Sequence, residues 1–262
     1  MKYKRLVTVV TVAVFILLAI VAVFWLFRVR EVKVRYVSYG ENGTEKYLEL
    51  DEITENTAIG KSILFINTDK LKEELETSDP YIFVEKIEKA YPDRIIVDAV
   101  KREEKFSLLL NGEYYLFSSG NIYLRKTDII SDDVLKISFL SGSENAVGFH
   151  PGKTAEFLNG KLISYAIEIN SNADIEGDLI EEVLLSAERN RVYFKMATGV
   201  FVEFRFLPVN EDEEKNTALV GKAEVVFGEY LSLDEKSKLG GYLICYFTDD
   251  GKFVTEYTET EF

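Results

Sequence analysis

Few residues in this chain have the types and spacing that chemistry requires. Ile59-Gly60-Lys61-Ser62 matches the end of a phosphate-binding loop, where backbone N–H groups cradle phosphate and lysine neutralises it. The full motif needs a glycine where Glu55 stands, and without it the backbone cannot turn its amides toward an anion. A turn is the expected use of that stretch. Asn172 to Val183, "NADIEGDLIEEV", resembles a calcium loop through Asn172, Asp174 and Glu176 ahead of Gly177. The twelfth position should be a bidentate glutamate and is Val183, so an acidic turn is expected and no metal site.

His150 is the single histidine and lies in the turn segment "GFHPGK". A nucleophile could meet it only in space. The surrounding sequence predicts a solvated turn residue. Cys245, the single cysteine, sits in the apolar run "YLICYF" and is expected to be a buried small hydrophobe. One cysteine also excludes an internal disulfide framework and a cysteine-rich zinc site. Asn42-Gly43-Thr44 fits a glycosylation acceptor. No catalytic, cofactor-binding or metal residue is assigned from these patterns.

The elements that would position any site must therefore carry more of the argument. The chain has 262 residues, 47% hydrophobic and 13% aromatic, enough for one or two packed domains. Leu6 to Phe27 is an uncharged run, expected to form a transmembrane helix after a cytoplasmic tail of residues 1–5. Basic residues flank it on both sides, so counting lysine and arginine leaves its orientation open. Beyond it stand 28 of the 31 basic residues against all 45 acidic ones, which argues against a nucleic-acid partner and against docking on anionic lipid.

Val32 to Tyr39 alternates valine with polar residues and predicts a half-buried strand. "GENGTE" is a turn cluster, and "DEITENTAI", from Asp51, predicts a short helix ending before Gly60. Thr68 and Asp69 are candidate N-caps for "KLKEELE", with Leu71 and Leu75 on one face. Val84–Tyr91 and Ile95–Val100 read as strands joined at Pro92-Asp93, since proline presets φ and aspartate accepts local backbone bonds. The expected order over residues 32–103 is β-α-α-β-β.

The remainder predicts a second α+β unit. Its strand signals are "FSLLL", "EYYLF", "NIYLR" and "LKISFL", with a hairpin at Asn111-Gly112. A helix is expected from Thr154 to Ile169, then strands "EVLLSAE", "RVYFKM" and "GVFVEFRF", and a helix around Thr217–Tyr230. "GGYLICYF" and "KFVTEYTETEF" close the chain as a hairpin across "TDDG". The last strand, Lys252 to Tyr257, has no later strand to cover it. It could accept a partner strand, or its lysine and glutamates could protect it; the residues alone leave both open.

With these residues in view, the chain resembles the FtsQ/DivIB family of bacterial cell-division proteins. The matching text is Val32-Lys33-Val34, Glu52-Ile53, Gly60-Lys61-Ser62, Val84 with Ile87, and Tyr91-Pro92-Asp93 with Ile95, Val97 and Val100. "YYLFSSGNIYL", Tyr114 to Leu124, and "GYLICYFTDDGKFVTEY", Gly241 to Tyr257, extend it. Lys101-Arg102-Glu103-Glu104 and Ser118-Ser119-Gly120 depart from the family's pattern.

The resemblance implies a transmembrane helix at 6–27, a POTRA domain at 28–103, a mainly antiparallel β domain at 104–257 and a tail at 258–262. Tyr91, Pro92 and Asp93 would form the POTRA turn. It further implies a non-enzymatic, single-pass scaffold at the division septum, its N-terminus cytoplasmic and its domains outside, without cofactor. The implied partners are FtsL-like and FtsB/DivIC-like small membrane proteins and the septal peptidoglycan synthase. The implied partner surface is Tyr242, Phe247, Lys252, Phe253, Val254, Thr255 and Tyr257. Other readings are a POTRA protein assembling another envelope complex and an extracytoplasmic cell-wall hydrolase.

Overall fold

A computed structural model describes residues 2–39, 45–52, 58–131, 133–141, 148–173, 179–208 and 212–260. The chain is α+β and divides into an N-terminal unit, Met1–Arg102, and a C-terminal unit, Glu103–Phe262.

The N-terminal unit begins with helix α1, Lys2–Leu26. The expectation of a membrane span is corrected here. Among the described residues no helix is long and apolar enough to cross a membrane.

Four strands follow: β1 (Glu31–Tyr39), β2 (Glu45–Glu52), β3 (Ile82–Ala90) and β4 (Arg94–Lys101), in the sheet order β2-β1-β4-β3. β1 runs parallel to β4, and the other two pairs are antiparallel. Valines 32 and 34 lie opposite Ile95 and Val97 and share one face with Ala99, Ile82 and Val84. Helix α2, Thr68–Ser78, buries Leu71 and Leu75 against that face, one turn apart.

Two expectations change in this unit. The predicted helix at 51–59 is absent where described: Asp51 and Glu52 end β2 and Ala58–Gly60 is a turn, while 53–57 lie outside the described residues. The β-α-α-β-β order becomes β-β-α-β-β, because β1 gains a hairpin partner along its free side. The cap of α2 is Asn67, one residue early; its Oδ1 accepts from the N–H of Asp69 at 2.9 Å and of Lys70 at 3.1 Å. Residues 40–44, with the turn cluster and the glycosylation triplet, lie outside the described residues.

The C-terminal unit is built on nine strands: β5 (Phe106–Leu110), β6 (Glu113–Phe117), β7 (Tyr123–Thr127), β8 (Leu135–Ser141), β9 (Ile180–Ser186), β10 (Arg191–Met196), β11 (Phe201–Arg205), β12 (Tyr242–Phe247) and β13 (Phe253–Thr258). Their order across the sheet is β13-β12-β11-β10-β9-β8-β5-β6-β7. β5–β8, β8–β9 and β11–β12 are parallel, and the remaining neighbours are antiparallel. Helices α3 (Gly160–Asn172), α4 (Glu213–Val220) and α5 (Ala223–Ser232) supply the other half of the core. Leu162, Ile163, Tyr165, Ala166 and Ile169 form the buried stripe of α3, at the i, i+3, i+4, i+7 spacing that faces one side.

The helix expected from Thr154 starts at Gly160, because 148–155 instead runs beside β7. The helix expected at 217–230 is two helices, split at Gly221–Lys222. α4 is tied to the strand layer by buried Asn216, whose side chain accepts from Leu207 N–H at 2.9 Å and donates to its carbonyl at 3.0 Å.

Candidate functional site at the C-terminal sheet edge

The hairpin that ends the sheet is set by its loop. Gly251 N–H donates to Thr248 carbonyl at 2.8 Å, and Gly251 takes the left-handed φ of +79° that closes a three-residue loop with a glycine bulge. Thr248 N–H then donates to Lys252 carbonyl at 3.0 Å, and Lys252 N–H to Thr248 Oγ1 at 3.1 Å. Beyond the loop Phe247 pairs with Phe253 and Tyr242 with Thr258.

The direction of each backbone group on β13 follows from this start. Hydrogen-bonded and non-hydrogen-bonded pairs alternate along an antiparallel ladder. Thr248 and Lys252 are a bonded pair, so Tyr246–Val254, Ile244–Glu256 and Tyr242–Thr258 are the next ones inward. Gly241 agrees, because its carbonyl points the other way and accepts from Phe201 N–H at 2.9 Å. The N–H and C=O groups of Phe253, Thr255 and Tyr257 therefore point away from β12. β13 has a neighbour on one side only among the described residues. The sheet thus ends in three outward donors and three outward acceptors.

The side chains of Phe253 and Tyr257 hold the strand down. Phe253 and Tyr257 pack against the main core, Phe253 with its ring 5.6 Å from that of Phe247 and with Lys222 Nζ 5.8 Å above it. Tyr257 hydroxyl donates to Gly240 carbonyl at 2.8 Å. Gly241 accepts this approach because it has no Cβ: one built there would lie 2.6 Å from Thr258 carbonyl oxygen, at a φ of +92°. Val254 and Glu256 project to the opposite face.

That opposite face is stiffened by charge. Glu203 on β11 is fully buried, with Arg191 Nη1 at 2.8 Å and Arg205 Nε at 2.7 Å. Burial opposes the Arg205 charge, but the Glu203 hydrogen bond and the Glu203 and Glu256 carboxylates outweigh it and raise its pKa. Phe201 and Tyr242 stack beside this cluster at 5.3 Å. On the core side Cys245 is fully buried, and burial pushes its thiol well up, with Glu203 and Glu229 adding to the effect. A thiol held neutral in this way is a packing group and no nucleophile.

The seven residues named from the sequence divide by face. Phe247, Phe253, Thr255 and Tyr257 lie on the helix side, Tyr242 and Val254 on the other, and exposed Lys252 precedes the strand. Arg191, Glu203, Arg205, Phe201 and Lys222 were not anticipated. A glutamate flanked by apolar residues in "FVEFRF" was the available signal.

The other candidates do not form sites. Tyr91, Pro92 and Asp93 make the turn between β3 and β4, where Asp93 carbonyl accepts from Arg30 N–H at 2.8 Å. Gly60 has a φ of +85° and Lys61 is exposed beside it, in a turn leading to Ile63–Phe65. Val183 is buried in β9, while 174–178 of the acidic loop lie outside the described residues. His150 is exposed on the loop beside β7. Among the described residues no group of three or more histidine, cysteine, aspartate or glutamate side chains could hold a metal ion.

Compared with protein-family models, the chain matches none, and no curated protein matches it.

Proposed function

We propose that this chain is a non-enzymatic scaffold that captures partner proteins by adding one of their strands to β13. The observation that carries the reading is the row of outward backbone groups at Phe253, Thr255 and Tyr257, on a strand anchored by the Phe253 and Tyr257 side chains. Main-chain bonds supply affinity in such an addition, and the alternating side chains on the two faces supply selectivity.

The resemblance to the FtsQ/DivIB family supports the setting. In it the scaffold works in the bacterial division machinery at the septum, with FtsL-like and FtsB/DivIC-like proteins as partners, and through them it regulates septal peptidoglycan synthesis. The N-terminal unit provides a second docking surface.

A pull-down comparing the full chain with a truncation ending at Gly251 tests the reading. The truncation removes β13 and should lose the partners that the full chain captures. If it stays folded, as judged by circular dichroism and a cooperative melt, and still captures them, strand addition at this edge is excluded.

A further inference from the structure

The same edge has a register in which it fits itself. We propose that β13 pairs antiparallel with β13 of a second copy of this chain, about a two-fold axis at Thr255, and that this pairing excludes the partner strand. The inference rests on the reading of β13 as an open, strand-accepting edge. It adds an occupant and a mode of regulation.

The register follows from the outward groups. Antiparallel addition makes bonded pairs only between residues whose N–H and C=O both point outward, and these are Phe253, Thr255 and Tyr257. A two-fold axis at Thr255 puts Thr255 opposite itself and Phe253 opposite the partner's Tyr257, on the helix-side face. Threonine–threonine and aromatic cross-strand pairs are both favourable. On the other face Val254 lies opposite the partner's Glu256, and the only diagonal like-charge pair is Glu256 with its symmetry mate. Lys252 then stands diagonal to the partner's Glu256, and symmetry repeats that attraction.

The other axes bond less of the edge. Axes at Val254 or Glu256 bond only two of the three outward residues of each copy, and axes at Phe253 or Tyr257 bond only one within β13. The Thr255 axis alone bonds all three in both copies, and Lys252 beside the partner's Glu256 makes a second copy the complementary occupant. The two chains use the same outward atoms that an incoming strand needs, so the self-paired form is closed to partners and must separate before capture.

Disulfide trapping in the full chain tests this. Thr255→Cys places two thiols at a bonded pair, where Cα atoms lie ~5.5 Å apart, within disulfide reach. Cys245 is buried and does not compete. Under mild oxidation Thr255→Cys should form a covalent dimer. A mixture of Val254→Cys and Glu256→Cys chains should also cross-link, at least about tenfold above either variant alone. This second pair keeps the test open should Thr255→Cys fold poorly. Cross-linked Thr255→Cys should lose partner capture, and reduction should restore it. If neither pair cross-links above its single-variant controls, self-pairing is overturned, even where the full chain captures partners and the Gly251 truncation does not. If capture persists in the cross-linked dimer, mutual exclusion is overturned.

Discussion

The nine-stranded sheet has two ends, and they are treated oppositely. At β7 the backbone beyond the sheet is already bonded: Tyr123 N–H donates to Lys153 carbonyl at 3.0 Å, and Gly152 N–H to Tyr123 carbonyl at 2.9 Å. Phe149 pins that loop, with rings of Phe117, Tyr115 and Tyr123 at 5.3, 5.5 and 5.6 Å. Arg125 and Lys126 on β7 pair with Glu104 and Glu113. At β13 no described segment runs alongside. Proteins usually blunt an exposed edge by covering or charging it. Among the described residues one end is covered at Tyr123 and the other has no neighbour, a difference in keeping with the proposed use of β13.

Removing the support under the open end should have the largest effect. Arg191→Ala combined with Arg205→Ala leaves Glu203 buried and unpaired and should cost roughly 3–5 kcal/mol in urea unfolding. Either substitution alone should cost less than half of the pair. A double variant as stable as the wild type would mean that the charge cluster does not stiffen this end.

Proline placement sharpens the contrast within β13 itself. Glu256→Pro removes an N–H that bonds to β12 and should cost about 2–3 kcal/mol. Thr255→Pro removes an outward N–H and should cost about 1 kcal/mol or less, while abolishing partner capture. Equal destabilisation by the two would refute the assigned alternation.

The closed end can be opened. Phe149→Ala should cost about 2 kcal/mol and raise hydrogen exchange at Tyr123 and Gly152, with β13 amides unchanged. Exchange at Tyr123 unaffected by the substitution would show that Phe149 is not the pin. The smallest effect belongs to Lys222→Ala, about 0.5 kcal/mol from the lost cation–π contact with Phe253. A loss above about 1.5 kcal/mol would point to another role for Lys222.

Much of this was legible wherever a local signal and a tertiary need coincided. The "TDDG" loop, its flanking alternation and the Pro92-Asp93 corner were placed because turn chemistry is local. Three features had no such signal. Glu45–Glu52 was given no strand, its charges hiding the pattern, yet it pairs antiparallel along β1. Residues 148–154 contain proline and glycine and still serve the sheet, by covering β7 rather than joining it. The charge cluster was hidden because Arg191 reaches Glu203 only across strands, and nothing local marks Glu203 and Arg205, two apart on β11, as a buried pair. The apolar N-terminal run was the opposite case: a strong local signal over-extended into a membrane span.

The alternation along β13 has a consequence for how this edge can change over time. Phe253 and Tyr257 serve twice, fastening the strand with their side chains and meeting a newcomer with their backbone. Drift at those positions would loosen the strand and blur recognition together, so little of it is tolerable. Val254 and Glu256 face away from the core and touch a newcomer only through their side chains. Exchanging those two residues offers a route to new partners without rebuilding the edge that receives them.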